Sequence, residues 1–313
     1  MLIVTPDELF TVLFRMKDRR LLSAVRRPSP QPPVWIHLWK SPTRTSAKCL
    51  DIYSRISMPE RVECVTGPAA TLGESPVWDP ERGVLWWVDI VEGAVHRFAP
   101  EQGAEETIDI GPMIGALALM EGGALLLATT DGFLECDPGT GEAAPLEVPV
   151  PIAPGLRFND GKCDPAGRFW VGTMHVDALP ERGALYCLAP GSDAQRKEVQ
   201  KKMAPTTISN VPEEMGTPDG MTIDREGALW VAHWGGSQVV RWDPARGEAL
   251  RRVPFPVTQV SSCTFGGPRL DRLYVTSARK GLTEKQREEQ LLAGRLFRFD
   301  PGVSGWPVVP FGG

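Results

Sequence analysis

The sequence predicts an all-β fold, a β-propeller, on three observations. A strand–turn–strand–turn–strand unit recurs from Leu72 onward, marked by turn acids at Asp79, Glu121, Asp164, Asp224 and Asp271. The steps between those markers are 42, 43, 60 and 47 residues, and a period of about 40–50 residues with several strands per unit is the signature of a propeller blade. The 32 Gly and 30 Pro are spread along the chain rather than massed, as many short strands joined by turns require.

The units read in order as SPVWDPERGVLWWVDIVEGAVHRFAP, GALALMEGGALLLATTDGFLECDPGTG, GKCDPAGRFWVGTM continued by GALYCLAP, GMTIDREGALWVAHWGGSQVVRWDPARG, and CTFGGPRLDRLYVTSARKG closed by GRLFRFDPG. No helix of 10–15 residues recurs between the strands, which argues against a parallel α/β fold. The clearest helix candidate is the inserted stretch from Thr283 to Leu292. The step of 60 is out of line, because it holds chain for one clear strand only.

Two domains follow from composition. Residues 1–58 carry ten Lys/Arg against four Asp/Glu, and the remainder carries 24 against 35. The first segment is basic and turns Pro-rich from Pro28 to Pro33, and it reads as a poorly ordered extension. Leu9, Val12, Leu13 and Met16 could share one helical face, so an organelle-targeting peptide is the sharper reading, although Asp7, Glu8 and Asp18 are acidic where such peptides are acid-poor. Residues 59–313 form the propeller domain.

The acidic body argues against nucleic acid as a partner. No apolar run approaches the ~20 residues of a membrane helix. The six Cys are scattered without a C-x-x-C pair, which predicts free thiols and a reducing, cytoplasmic setting. The four His form no H-x-x-x-H pair, and neither a G-x-S-x-G elbow nor a P-loop is present.

Propellers bind small ligands where their inner strands converge, so polar residues at equivalent points before each inner strand are the candidates. Glu74 holds that point in the first unit, Arg157, Asn159 and Asp160 in the third, and Asp219 in the fourth. Carboxylates, an amide and a guanidinium at matching positions suit a hard cation and a polyol. Taken singly, Asn159-Asp160-Gly161 and Pro218-Asp219-Gly220 also read as plain turns.

Five segments, LGESPVWDPERGVLWWVDI, GLRFNDGKCDPAGRFWVGTM, GALYCL, GTPDGMTIDREGALWVAHWGG and SSCTFGG, resemble the successive signatures of the SMP-30/gluconolactonase/regucalcin-like family, in that family's order. The resemblance covers about residues 60–313. It implies a six-bladed propeller with one divalent cation (Ca2+, Zn2+, Mg2+, Mn2+ or Fe2+) that hydrolyses sugar lactones to aldonic acids. By matching motifs, Glu74, Asn210 and Asp219 would be metal ligands and Asp219 also the general base. Arg157, Asn159 and Asp177 would contact substrate. The implied partner is a small-molecule sugar lactone, with no nucleic acid and no membrane, and the chain is expected as a monomer or weak dimer.

One departure from the family's pattern is visible. TTISN is followed directly by Val211-Pro212-Glu213-Glu214-Met215-Gly216, so about one blade is expected to be missing between residues 210 and 217. That departure motivates the alternative reading, a non-catalytic calcium-binding or interaction propeller that lost a blade and part of its metal site.

Overall fold

The computed structural model describes residues 2–4, 9–16, 62–67, 69–146, 152–177, 183–190 and 206–312. In chain order, β1 (Leu2–Val4) and β2 (Leu9–Met16) pair as an antiparallel hairpin, and β3 (Glu63–Cys64) opens the body. The first blade is β4 (Gly73–Asp79), β5 (Val84–Asp89), β6 (Ala94–Ala99) and β7 (Ala104–Asp109). The second is β8 (Ile114–Leu119), β9 (Leu125–Thr129), β10 (Gly132–Cys136) and β11 (Ala143–Pro145). The third has β12 (Leu156–Cys163), β13 (Phe169–His175) and β14 (Leu185–Leu188), and is followed by β15 (Thr206–Val211). The fourth is β16 (Thr217–Ile223), β17 (Leu229–Trp234), β18 (Gln238–Asp243) and β19 (Glu248–Pro254). The fifth has β20 (Val260–Gly266), β21 (Arg272–Ser277) and β22 (Phe297–Phe299), and β3 returns as its outer strand. That return closes the ring, with Arg298 opposite Glu63 in the ladder and their side chains 2.8 Å apart.

The all-β propeller is therefore present, but with five antiparallel blades instead of six positions and a gap. Among the described residues, the only strand between β14 and β16 is β15, too little for a blade. A lone strand leaves both edges unpaired, and β15 meets this by pairing in parallel with β2, Thr206 opposite Val12 and Asn210 opposite Arg15. The resulting sheet has the order β1-β2-β15, and β1 packs against the inner strands β12 and β16. The helical face expected over Leu9, Val12, Leu13 and Met16 is thus a strand. Short apolar runs are ambiguous by periodicity alone, and here an available strand edge decides the outcome. The boundary at residue 58 and Cys49 lie outside the described residues.

Three of the turn acids explain why the repeats look as they do. Asp79, Asp164 and Asp224 are buried where the inner strand turns into the next. Each accepts an indole N–H, from Trp86 at 3.3 Å, Trp170 at 2.8 Å and Trp230 at 2.9 Å. Each also takes an arginine, from Arg82, Arg168 and Arg241. The Asp-Trp-Arg combination ties the turn, the second strand and the blade surface together. Glu121 and Asp271 do not repeat it: the Glu121 N–H donates to Phe311, and Asp271 pairs with Arg269. The expected helix is short, Glu284–Glu289, and starts on a reciprocal Thr283–Gln286 capping box. Cys136, Cys163, Cys187 and Cys263 are buried and, with Cys64, unbridged.

A C-terminal strap, residues 304–312, crosses one face of the ring. Arg225 N–H donates to Ser304 O at 2.8 Å and Gly305 N–H to Leu270 O at 2.9 Å. Further on, Phe311 exchanges backbone bonds with Leu119 and Glu121, and Gly312 N–H reaches Gly167 O at 3.2 Å.

His233 provides a stability test. It is fully buried on β17, its Nδ1–H donates to Met215 O at 3.0 Å, and its Nε2 accepts from the Trp242 indole at 3.4 Å. Both ring nitrogens are used by the neutral form. Burial pushes its pKa down to about 4. The unfolded chain then binds a proton that the folded chain refuses, so stability is full above pH 6.5 and falls as the pH drops toward 4. The loss should reach about 3 kcal/mol, and His233→Gln should flatten this part of a urea-midpoint profile taken between pH 7 and 4.5.

Candidate active site

Each inner strand breaks register near the same end of the channel. The irregularities fall between Glu74 and Val77, Ile114 and Ala116, Asn159 and Gly161, Pro218 and Met221, and Val260 and Ser262. A bulge bends a strand and re-aims the side chains at it, which is why bulges recur next to active sites. Ser75 and Asp160 adopt positive φ, 50° and 55°, within two of these bulges. The shared position inferred from the repeat is therefore a shared backbone distortion.

Glu74 is buried on β4, and the Ser75 N–H donates to its Oε2 at 3.1 Å. The Ser75 hydroxyl in turn accepts from Leu117 N–H at 3.0 Å, fixing the first blade against the second. Arg157 is buried on β12 and donates through Nη1 to Phe158 O at 2.9 Å and Asn159 Oδ1 at 2.8 Å. With its oxygen engaged, the Asn159 amide keeps its N–H donors for another partner. Asp219, half-buried, lies in the bulge of β16, beside Gly220.

These groups act on one another. Burial pushes the Glu74 carboxyl well above the usual range, and the charges of Asp219 and Asp160 push it further. Burial and Asp160 push Asp219 up to about 8. Burial lowers Arg157, against the pull of Glu74, Asp219 and Asp160. Three carboxylates against one guanidinium leave an excess of negative charge at this end of the channel, and like charges sharing a site raise each other's proton affinity.

The structure thus brings together Glu74, Arg157, Asn159 and Asp219. Asp177 sits apart on the rim, mostly exposed, its N–H donating to His175 Nδ1 at 3.1 Å. The Asn210 side chain lies outside the described residues; its backbone belongs to β15, on the edge of the composite sheet. Asp160, placed at the same point by the repeat but given no role, is an electrostatic member of the cluster. Lys280 escaped the sequence reading altogether. Its backbone N–H donates to Thr71 O at 2.8 Å, just before the strand of Glu74, and its ammonium feels Arg157 and Asp177. It lies at the end of the fifth unit's first segment rather than just before an inner strand, where the candidates were sought, so no sequence signal marked it.

Gly220 is packed to the limit beside Asp219. A Cβ there would collide with the Ser262 Oγ and lie 2.8 Å from the Ser262 Cα. Gly220→Ala should cost about 1–3 kcal/mol through overpacking. By moving Asp219 it should also lower any turnover by about 10²-fold, as a misplacement of ~1 Å does. A thermal melt and a steady-state assay check the two effects.

Among the described residues no three His, Cys, Asp or Glu side chains gather tightly enough to hold an ion by themselves. The donor chemistry is nonetheless that of a hard cation, all oxygen, with carboxylates whose mutual repulsion a positive ion would relieve. Glu74 and Asp219 fit as part of such a set.

Comparison with known proteins agrees with this picture. The sequence pattern described as "SMP-30/Gluconolactonase/LRE-like region" matches residues 72–211 and 200–279. The "Putative sugar lactone lactonase YvrE" of Bacillus subtilis (strain 168) is 35% identical over 281 residues, which are 78% of this chain and 96% of that protein. Regucalcin of Xenopus laevis is 30% identical over 295 residues, 81% of this chain and 99% of its own. Among solved structures, a calcium-binding protein, regucalcin, from Agrobacterium tumefaciens superposes with a TM-score of 0.73 at 25% identity, covering 80% of this chain and 97% of the other. The chain belongs to the SMP-30/gluconolactonase/LRE-like family.

Proposed function

We propose that the chain is a hydrolase that opens sugar lactones to aldonic acids with the help of one divalent cation. The observation that carries this is Asp219: a carboxylate of raised proton affinity, set beside Glu74, Asp160 and Arg157 at one end of the channel. A positioned carboxylate is well suited to take a proton from water. The relatives named as lactonase and regucalcin support the substrate class and the cation.

In this reading Asp219 takes one proton from a water as its oxygen bonds to the lactone carbonyl carbon. The ring C–O bond then breaks, and the departing ring oxygen takes up a proton to become a hydroxyl. Arg157 and the Asn159 amide orient sugar hydroxyls, converting loose encounter into a fixed approach. Asp177 is the rim contact for the distal part of the sugar. Glu74, Asn210 and Asp219 would hold the cation, which when bound supplies Lewis acidity toward the carbonyl.

The test is hydrolysis of glucono-lactone followed by acid release, with Ca2+, Mg2+, Mn2+, Zn2+ or Fe2+ added singly and then removed by chelator. Turnover above the spontaneous rate, lost on chelation, is the expected outcome. A second reading is favoured by the composite sheet, which stands where the Asn210 segment would otherwise begin a blade. In that reading the chain is a non-catalytic calcium-binding or interaction propeller. Calcium binding by titration with no turnover under any cation would select it.

A further inference from the structure

We propose that the half of the channel away from the carboxylates is a binding pocket for a small aliphatic carboxylate. Below the bulges a partly open cavity of about 350 Å³ is lined by the five inner strands and by the strap, through Trp306 and Val308. That volume is within the range of small-molecule sites. Its walls are mostly apolar, with Leu117 and Phe265 prominent.

Among the described residues, Lys162 is its only charged lining residue. It is half-buried on β12 and makes no hydrogen bond or ion pair among the described residues. A half-buried lysine without an acidic partner beside mostly apolar walls would favour an anion. Thr222 on β16 and Thr264 on β20 add two hydroxyl-bearing lining residues from neighbouring blades. Cys163 offers no competing charge, since burial holds its thiol up at about 12. Neither Glu74, Asp160, Arg157 nor Asp219 is among the residues that line this cavity, which sets it apart from the carboxylate end. One cationic head contact, two hydroxyls and an apolar sleeve describe a carboxylate with a hydrocarbon body.

The probe is hexanoate, titrated calorimetrically into the full chain, with hexanol and hexylammonium as controls. Hexanoate binds saturably, while hexanol and hexylammonium bind at least about tenfold more weakly. Lys162→Met keeps the stem and removes the charge, lowering hexanoate affinity roughly ten- to hundredfold. Val308→Phe fills the cavity from the strap, away from Lys162, and also abolishes binding; it decides the matter should Lys162→Met fail to fold in a thermal melt. Asp219→Asn leaves hexanoate affinity unchanged. Absence of binding by the unaltered chain, full affinity in a folded Lys162→Met, full affinity in Val308→Phe, or a loss on Asp219→Asn would each overturn the proposal.

Discussion

Asp219→Asn is expected to remove lactone hydrolysis, lowering kcat by about 10²–10⁴-fold, the usual contribution of a positioned general base. The amide has the size and shape of the carboxyl but cannot accept a proton from water. Its effect on the fold should run the other way. Asp219 sits close to Asp160 and Glu74, and burial together with the Asp160 charge pushes its pKa up to about 8. A carboxyl that holds its proton more tightly folded than unfolded opposes folding at neutral pH. The cation-free variant should therefore melt at the same temperature as the parent or higher. Activity lost while stability is kept or gained separates a catalytic role from a structural one. Unchanged turnover would remove Asp219 from the role of base.

Asp224→Ala is expected to give the largest loss of stability, about 3–5 kcal/mol. Asp224 is fully buried and accepts four hydrogen bonds: from the Trp230 indole at 2.9 Å, Arg241 Nε at 2.8 Å, Glu226 N–H at 2.9 Å and Ala228 N–H at 3.0 Å. Alanine leaves all four donors behind, one of them a charged guanidinium with little access to water. At about 2–4 °C per kcal/mol for a domain of this size, the melting midpoint should fall by roughly 10 °C. Asp243→Ala is the control. Asp243 accepts from the backbone of Ala245 and Arg246 in an exposed turn and has a loose, exposed ion pair with Arg246 at 3.7 Å, and its loss should cost ~1 kcal/mol or less.

The residues that repeat locally were the legible ones. Asp79, Asp164 and Asp224 with their Trp partners mark each turn because acid and indole lie six or seven residues apart, within one hairpin. The same repeat located Glu74, Arg157, Asn159 and Asp219. It did so without revealing why, since the bulges that turn those side chains are set by pairing register, which leaves no mark on composition. Asp160 was placed with them by the repeat but given no role, since Asn-Asp-Gly also makes a good turn by itself. The β1-β2-β15 sheet was illegible for another reason. Its parallel ladder joins residues about 200 apart, and no window of sequence contains both sides. The expected six positions with a gap gave way to five blades, because local sequence does not show what a free strand edge does with a second apolar segment nearby.

The strap carries one more consequence. A propeller resembles a hoop under tension, and a hoop fails at its seam. Here the seam lies between the third and fourth blades, where the ring relies on a borrowed hairpin and one strand. The strap is anchored at Arg225 and Leu270 on one side of that seam and at Leu119, Glu121 and Gly167 on the other. It works as a tie rod across the diameter, sharing load that would otherwise pass through the borrowed sheet. The last nine described residues therefore bear on whether the hoop stays shut, since Gly167 and Arg225 belong to the two blades that flank the borrowed sheet.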